Sequence, residues 1–346
     1  MKKAVLKLKG FIPFNLLPVL NLAILHPLYT TYAKKGVYHA SQTLKLKRTI
    51  HPKLTGEQEN MPKINVNGAI LHYDTYGKGI PILFIHPPVL TSKGFSYQVR
   101  DLSPHFQVIT FDIRGHGHSS SSSLPITYAL IADDMTAIMD ELGIKKAYFC
   151  GYSMGGSIVL ETLLRYPNRA IGGIVLGGIS EILDKNLRSR ILLGAAIAGA
   201  GGVRLLARAV SSTNSDTKEL FQEQFKEAKR GTARNIREYY SYGLEYNCTS
   251  RLREINHPVL LLYGAKDQRF FQYAQLLHEC LPNNELKFIS EVKHHLPTKA
   301  AIEMNDLVKQ FIYTHQRPAE EMPVEYFSPY QGLEDLPNDP GVFPRI

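Results

Sequence analysis

Lys146-Ala147-Tyr148-Phe149-Cys150-Gly151-Tyr152-Ser153-Met154-Gly155-Gly156-Ser157-Ile158-Val159-Leu160 reads as a short buried strand, one sharp turn and a helix. Ala147 to Cys150 supply the apolar run of the strand, and Ser157 to Tyr166 supply a helix with Ile158, Leu160, Leu163 and Leu164 on its apolar side. The Gly-x-Ser-x-Gly between them has a mechanical reason. A serine at a strand-to-helix turn is held in strained backbone geometry, and glycines two residues to either side let strand and helix pack closely. The bare pattern is short enough to arise by chance; its strand-turn-helix setting marks Ser153 as a candidate nucleophile raised above a sheet.

Working outward, the same grammar repeats. Lys63 to Val66 and Ala69 to Tyr73 flank Asn67-Gly68, a hairpin turn, and Pro81 to Ile85 is an apolar strand ending at His86. Gln107 to Phe111 forms the next strand and runs into Asp112-Ile113-Arg114-Gly115-His116-Gly117-His118-Ser119, followed by a serine run to Ser123 read as a surface loop. Tyr128 to Leu142 has helical spacing and Gly143 as its C-cap. After the central stretch come a strand at Ile171 to Leu176, strands at Val259 to Tyr263 and Leu286 to Ile289, a helix near Phe271 to Leu281 and a last helix from about Thr298 to Tyr313. Strands alternating with helices predict an α/β fold, a mostly parallel sheet covered on both faces, with the hairpin as an antiparallel edge. Only between Ile179 and about Asn256 does the alternation stop. There Leu192 to Val210 and Thr217 to Tyr242 read as helical, which predicts an inserted helical cap over residues 179–256. The core is then 61–178 together with 257–316.

With 346 residues, 44% hydrophobic and 21% charged, the chain can bury a large core. Cys150, Cys248 and Cys280 are odd in number and far apart, so no disulfide framework is suggested and a reducing, cytoplasmic compartment is expected. Of the net charge of +9, residues 1–60 hold +8, with ten Lys or Arg against Glu57 and Glu59, and the body holds +1. A basic stripe on the body is therefore absent, which argues against a nucleic-acid partner. The extension places Lys2, Lys3, Lys7 and Lys9 before an apolar run from Phe11 to Leu28, but Pro13, Pro18 and Pro27 interrupt it. A spanning helix needs about 20 mostly apolar residues. Two readings stay open for residues 1–40: peripheral contact with a membrane surface, or an arm on the body. From Arg317 onward six acidic residues stand against two Arg among repeated prolines, an acidic tail over 317–346.

A serine hydroxyl is a poor nucleophile at neutral pH; it needs a histidine to take its proton and an acid to orient that histidine. On such a sheet the chain order is serine, acid, histidine, each at the carboxyl end of a strand. Asp267 follows the strand Val259 to Tyr263 in Gly264-Ala265-Lys266-Asp267, and His294-His295 follow the strand Leu286 to Ile289. Either histidine fits this position.

With these motifs in order the chain resembles the α/β-hydrolase superfamily, in its helical-cap branch, over roughly Met61 to Gln316. The resemblance implies an esterase-like serine hydrolase acting on a small apolar acyl or ester substrate without cofactor. Within it, a histidine with an Asn eleven residues on is met by His294 and Asn305, which selects His294 over His295. It also implies two oxyanion donors, the amide of Met154 and one in the loop after His86. The sequence departs from the family there: His86-Pro87-Pro88-Val89-Leu90 puts Pro88 where the donor is expected, and proline has no N–H. Either Val89 or Leu90 supplies the second amide from a shifted loop, or the hole is weaker than usual; Val89 is the candidate. A carbon–carbon bond hydrolase or cofactor-free haloperoxidase with the same triad, and a catalytically silent binding or receptor protein, are the alternatives. Ser153 excludes the relatives that need a carboxylate nucleophile. Gly199-Ala200-Gly201-Gly202 lacks the third glycine of a dinucleotide fingerprint, and His116 and His118 sit inside the Arg-Gly-x-Gly-x-Ser loop rather than in a metal motif. The uncharged run Ile191 to Gly199 predicts an apolar roof, and with no basic cluster in the cap to pair with a charged acyl end, anionic substrates are expected to be poor.

Overall fold

The computed structural model describes residues 62–316. The basic extension and the acidic tail lie outside the described residues. The apolar runs become β1 (Lys63–Val66), β2 (Ala69–Tyr76), β3 (Pro81–Ile85), β4 (Gln107–Phe111), β5 (Ala147–Tyr152), β6 (Ala170–Leu176), β7 (Val259–Gly264) and β8 (Asn284–Ile289). They join one sheet in the order β1-β2-β4-β3-β5-β6-β7-β8. β2 is antiparallel to both β1 and β4, and every later neighbour is parallel. Asn67 (φ 46°) and Gly68 (φ 77°) make the hairpin turn, whose central residues both need positive φ.

Side-chain alternation along the strands sorts the core into two layers. Leu83, Ile85, Ile109 and Phe149 face one side, where α2 (Tyr128–Glu141), α3 (Met154–Arg165) and α8 (Phe271–Cys280) cover them. Ile82, Phe84, Val108 and Cys150 face the other, under α1 (Ser96–Leu102) and α10 (Ala301–Gln316). The short α9 (Leu296–Lys299) precedes α10, with Ala300 between them, so the last helix is split where the sequence suggests one. A buried sheet with apolar residues on both faces is why these strands read as continuous apolar runs rather than alternating ones.

Between β6 and β7 lie α4 (Lys185–Gly199), α5 (Val203–Thr213), α6 (Lys218–Ala228) and α7 (Ala233–Glu245). Each of the two helical stretches expected here is broken once. Gly201 takes φ 77° and closes α4, with the N–H of Gly202 donating to Ile197 O at 2.8 Å. At the second break the N–H of Thr232 leaves the helical ladder for Gly115 O at 2.7 Å, a tertiary contact that no local pattern announces.

The same contact seats the insertion on the Asp112–Ser119 loop, which is itself tied down. Asp112 accepts N–H bonds from Ser92 and His118, both at 2.9 Å. Arg114 is buried and makes a two-pronged pair with Asp134 at 2.5 and 2.6 Å while also donating to Val66 O. Removing either partner would strand a buried charge at a cost of about 3–5 kcal/mol. The serine run is less exposed than expected: Ser122 is buried and donates its N–H to Asn235 on α7. Among the described residues no helix is long and apolar enough to cross a membrane.

Candidate active site

The strand order reverses at β3: the chain steps outward to β4 and returns to β5 on β3's other side. Open α/β sheets bind ligands in the crevice at such a switch point, beyond the carboxyl ends of the strands. The loop after β3 and the turn after β5 both open there. Ser153, directly after β5, has φ 56° and ψ −121°, a strained conformation for a residue with a side chain. The flanking glycines permit it. A Cβ on Gly151 would lie 2.1 Å from Gly155 O, and one on Gly155 would lie 2.2 Å from Ile85 O in β3.

Three sequence candidates meet at this turn. His294 Nε2 lies 2.9 Å from Ser153 Oγ, and His294 Nδ1 lies 3.3 Å from Asp267 Oδ2. The imidazole is held by its surroundings: Phe270 packs at 4.3 Å and Tyr152 at 5.4 Å between ring centroids. Gly177 (φ 59°) leaves the remaining space, since a Cβ there would come within 3.1 Å of Nδ1. His295 lines the same cavity but makes no hydrogen bond to Ser153, and burial, then the neighbouring His294, lowers its pKa to about 4. Asn305 is not at the site. It is buried between Gln98 and Asp101, tying α10 to α1.

The loop carrying the oxyanion candidates is fixed from below. The N–H of Ile113 donates to His86 Nε2 at 2.9 Å, which leaves the proton on Nδ1 to donate to Pro87 O, also at 2.9 Å. Burial lowers the pKa of His86 and keeps it in this neutral form. Tyr239 Oη on α7 donates to His86 O at 3.0 Å. Val89 then takes φ 74°, rare for a β-branched residue, with its side chain fully buried among Ala198, Val203, Leu206 and Ile236 of the insertion. The Val89 N–H finds no acceptor among the described residues, nor does the Met154 N–H outside its helix. His116 bonds Arg114 O through Nδ1 and packs on His86 and Tyr239; burial, then His86, lowers its pKa to about 3. His118 pairs with Glu227 on α6 at 2.8 Å.

Above Ser153 is a cavity of about 270 Å³, near the small end of the usual range for ligand pockets. Ile179, Leu187, Ile191, Val210 and Phe270 give it apolar walls. Tyr152 Oη reaches Asn214 Oδ1 at 2.9 Å, closing one side with a polar bridge from β5 to the insertion. Two cationic lining residues stand against the expectation that nothing basic faces a charged acyl end: Arg190 on α4, within the insertion, and Arg269 beside Asp267, outside it. Nothing in the local pattern marks Arg190 or Asn214 as cavity residues, or Tyr239 as a support of the loop after His86; each takes its place only through the packing of the insertion.

The alpha/beta hydrolase fold family matches residues 80–189. That span runs from the start of β3 past Ser153 into α4. The chain has the α/β-hydrolase fold. It is 26% identical over 267 residues to the human serine hydrolase BPHL, covering 74% of this chain and 88% of that protein. It is 27% identical over 260 residues to the AB hydrolase superfamily protein YisY of Bacillus subtilis, covering 70% and 94%. In structure it is similar to the enol-lactonase from Burkholderia xenovorans LB400, with a TM-score of 0.65 and 22% identity over 73% of this chain and all of that chain.

Proposed function

We propose that this protein is a serine hydrolase that cleaves a carboxylic ester or related small acyl compound through an acyl-enzyme. The observation that carries the reading is the contact series Ser153 Oγ, His294 Nε2 (2.9 Å), His294 Nδ1 and Asp267 (3.3 Å) at the base of a mostly apolar cavity. In this reaction Nε2 takes the hydroxyl proton as Oγ bonds to the acyl carbon, and the carbonyl electrons move onto oxygen. Asp267 orients the ring and stabilises the imidazolium. The oxyanion lies at the N–H of Met154, with the N–H of Val89 as second donor. Each such donor is worth about 10² to 10³ in rate. The tetrahedral intermediate collapses by breaking the bond to the alcohol oxygen, which leaves with the proton from Nε2. Water, deprotonated by His294, then releases the acid and restores Ser153. The apolar walls around Ile191 and Val210 favour an aliphatic acyl chain, each buried CH₂ contributing about 0.8 kcal/mol until the cavity is filled.

A fluorophosphonate probe tests this. Wild type should be labelled at Ser153 and turn over p-nitrophenyl esters, with kcat/KM rising from acetyl toward hexanoyl and then falling. Ser153→Ala should lose labelling and turnover with its melting temperature retained. Ester turnover by that variant would refute the assignment.

A further inference from the structure

The aliphatic cavity has a charged rim, and this feature bears on the substrate. Arg190 stands on α4 one turn after Leu187 and beside Ile191, and Arg269 lies in the short turn after Asp267, 79 residues further on in the sequence. Both line the cavity and both are exposed to solvent, which puts them at its mouth. Neither makes an ion pair or a side-chain hydrogen bond among the described residues. Arg100, Arg114, Arg165, Arg169, Arg188 and Arg234 each meet a carboxylate, and of the described arginines that do not, only Arg190 and Arg269 line the cavity. The acids nearest Arg190 are already engaged. Asp184 caps α4 through the Leu187 N–H and accepts from Tyr273, and Asp267 faces His294. Partial burial and the like charge of Arg269 lower the pKa of Arg190, the signature of two guanidinium groups close enough to repel. The folded protein thus holds two forked donors at the entrance to an apolar cavity and supplies neither with an acceptor.

We propose that Arg190 and Arg269 form an anion subsite, and that the substrate is a short acyl ester bearing a carboxylate at the end remote from the scissile bond. This rests on the serine-hydrolase reading and specifies its substrate class. A guanidinium fork matches the two oxygens of a carboxylate, and a carboxylate between two forks relieves their mutual repulsion. The methylene chain lies along Leu187, Ile191 and Val210 while the charged end stays in half-solvated space, so the group is bound without a full desolvation cost. The subsite also orients the ester: the charged end is fixed at the mouth, and the carbonyl is delivered to Ser153 below.

The test compares the mono-p-nitrophenyl ester of adipic acid with its neutral amide isostere. Wild type should favour the anion by about tenfold or more in kcat/KM at low salt, mostly through KM, and the preference should shrink as ionic strength rises. Arg190→Gln and Arg269→Gln should each cut the anion-to-amide ratio several-fold, the double variant should bring it near one, and Arg190→Lys should restore part of it. The ratio is taken within each variant, so a general loss of activity cancels. As a binding arm, adipate should raise the melting temperature of Ser153→Ala, and adding the two glutamine substitutions should abolish that rise. A wild-type ratio at or below one, or a ratio unchanged in the double variant, overturns the subsite. Absence of fluorophosphonate labelling with adipate stabilisation intact overturns the hydrolase reading and leaves the anion subsite standing; absence of both overturns both.

Discussion

Replacing Val89 with glycine sets two opposing terms against each other. Val89 has φ 74°, and a left-handed conformation costs a residue with a Cβ about 1–2 kcal/mol, which glycine would recover. Against this, the side chain is 0% exposed in a cluster with Ala198, Val203, Leu206, Ala207, Ala228 and Ile236. Losing a fully buried valine side chain costs about 1.5–3 kcal/mol, and the added flexibility of glycine about 0.5–1 more. Burial wins, and the net effect is a destabilisation of about 1–2 kcal/mol. For a domain of this size each kcal/mol lowers the melting temperature by about 2–4 °C, so a drop of about 2–8 °C is expected by calorimetry. The cavity left behind adds to the loss. Because the same residue carries the candidate second oxyanion N–H, fluorophosphonate labelling should also slow, the loop now being free to leave its fixed geometry. A Val89→Gly protein that melts at or above the wild-type temperature would refute the argument that the valine anchors this loop to the insertion.

His294→Ala should lower ester turnover by several orders of magnitude while His295→Ala retains most of it, measured by steady-state kinetics on matched samples; the reverse result would move the base by one residue. Gly155→Ala places a Cβ 2.2 Å from the Ile85 carbonyl, a backbone atom of a central strand, so a loss of about 3 kcal/mol or more is expected in urea titration, and a wild-type midpoint would contradict the packing. The folded pKa of His116, about 3, lies below its unfolded value of about 6.5, so the unfolded state binds more protons between these values. Its contribution to stability is therefore complete above pH 6.5 and is lost as pH falls toward 3, by up to about 1.4 kcal/mol per unit; His86 acts in the same direction. His116→Phe should give a shallower decline in urea midpoint between pH 7 and 5, and an unchanged slope would remove His116 from the acid response.

Most strands and the fold class were legible in the sequence, because strand and helix periods, hairpin turns and caps are local. β1, β3 and β4 begin and end where the apolar runs do, and Gly-x-Ser-x-Gly between a strand and a helix announces its turn without reference to anything distant. Ser153 and Asp267 could likewise be proposed from their places at strand ends, whereas His294 and His295 fitted that place equally and only the family resemblance favoured His294. Relations between residues far apart in the chain are set by the fold and were not legible locally. The contact of His294 with Ser153 spans 141 positions, and that of Tyr239 with His86 spans 153. The break in the insertion at Gly231 follows from a hydrogen bond to Gly115, not from a helix-stopping pattern alone. Val89 holds a backbone conformation that local preference disfavours, with its side chain in a cluster with Ala198, Val203, Leu206 and Ile236 between β6 and β7. Arg190 reads in sequence as one more charge on a helix face, and Arg269 as a turn residue. Their meeting at one cavity depends on how α4 lies over the ends of β5 and β7, and packing of that kind is set by the summed burial of many distant side chains, which no single stretch of sequence contains.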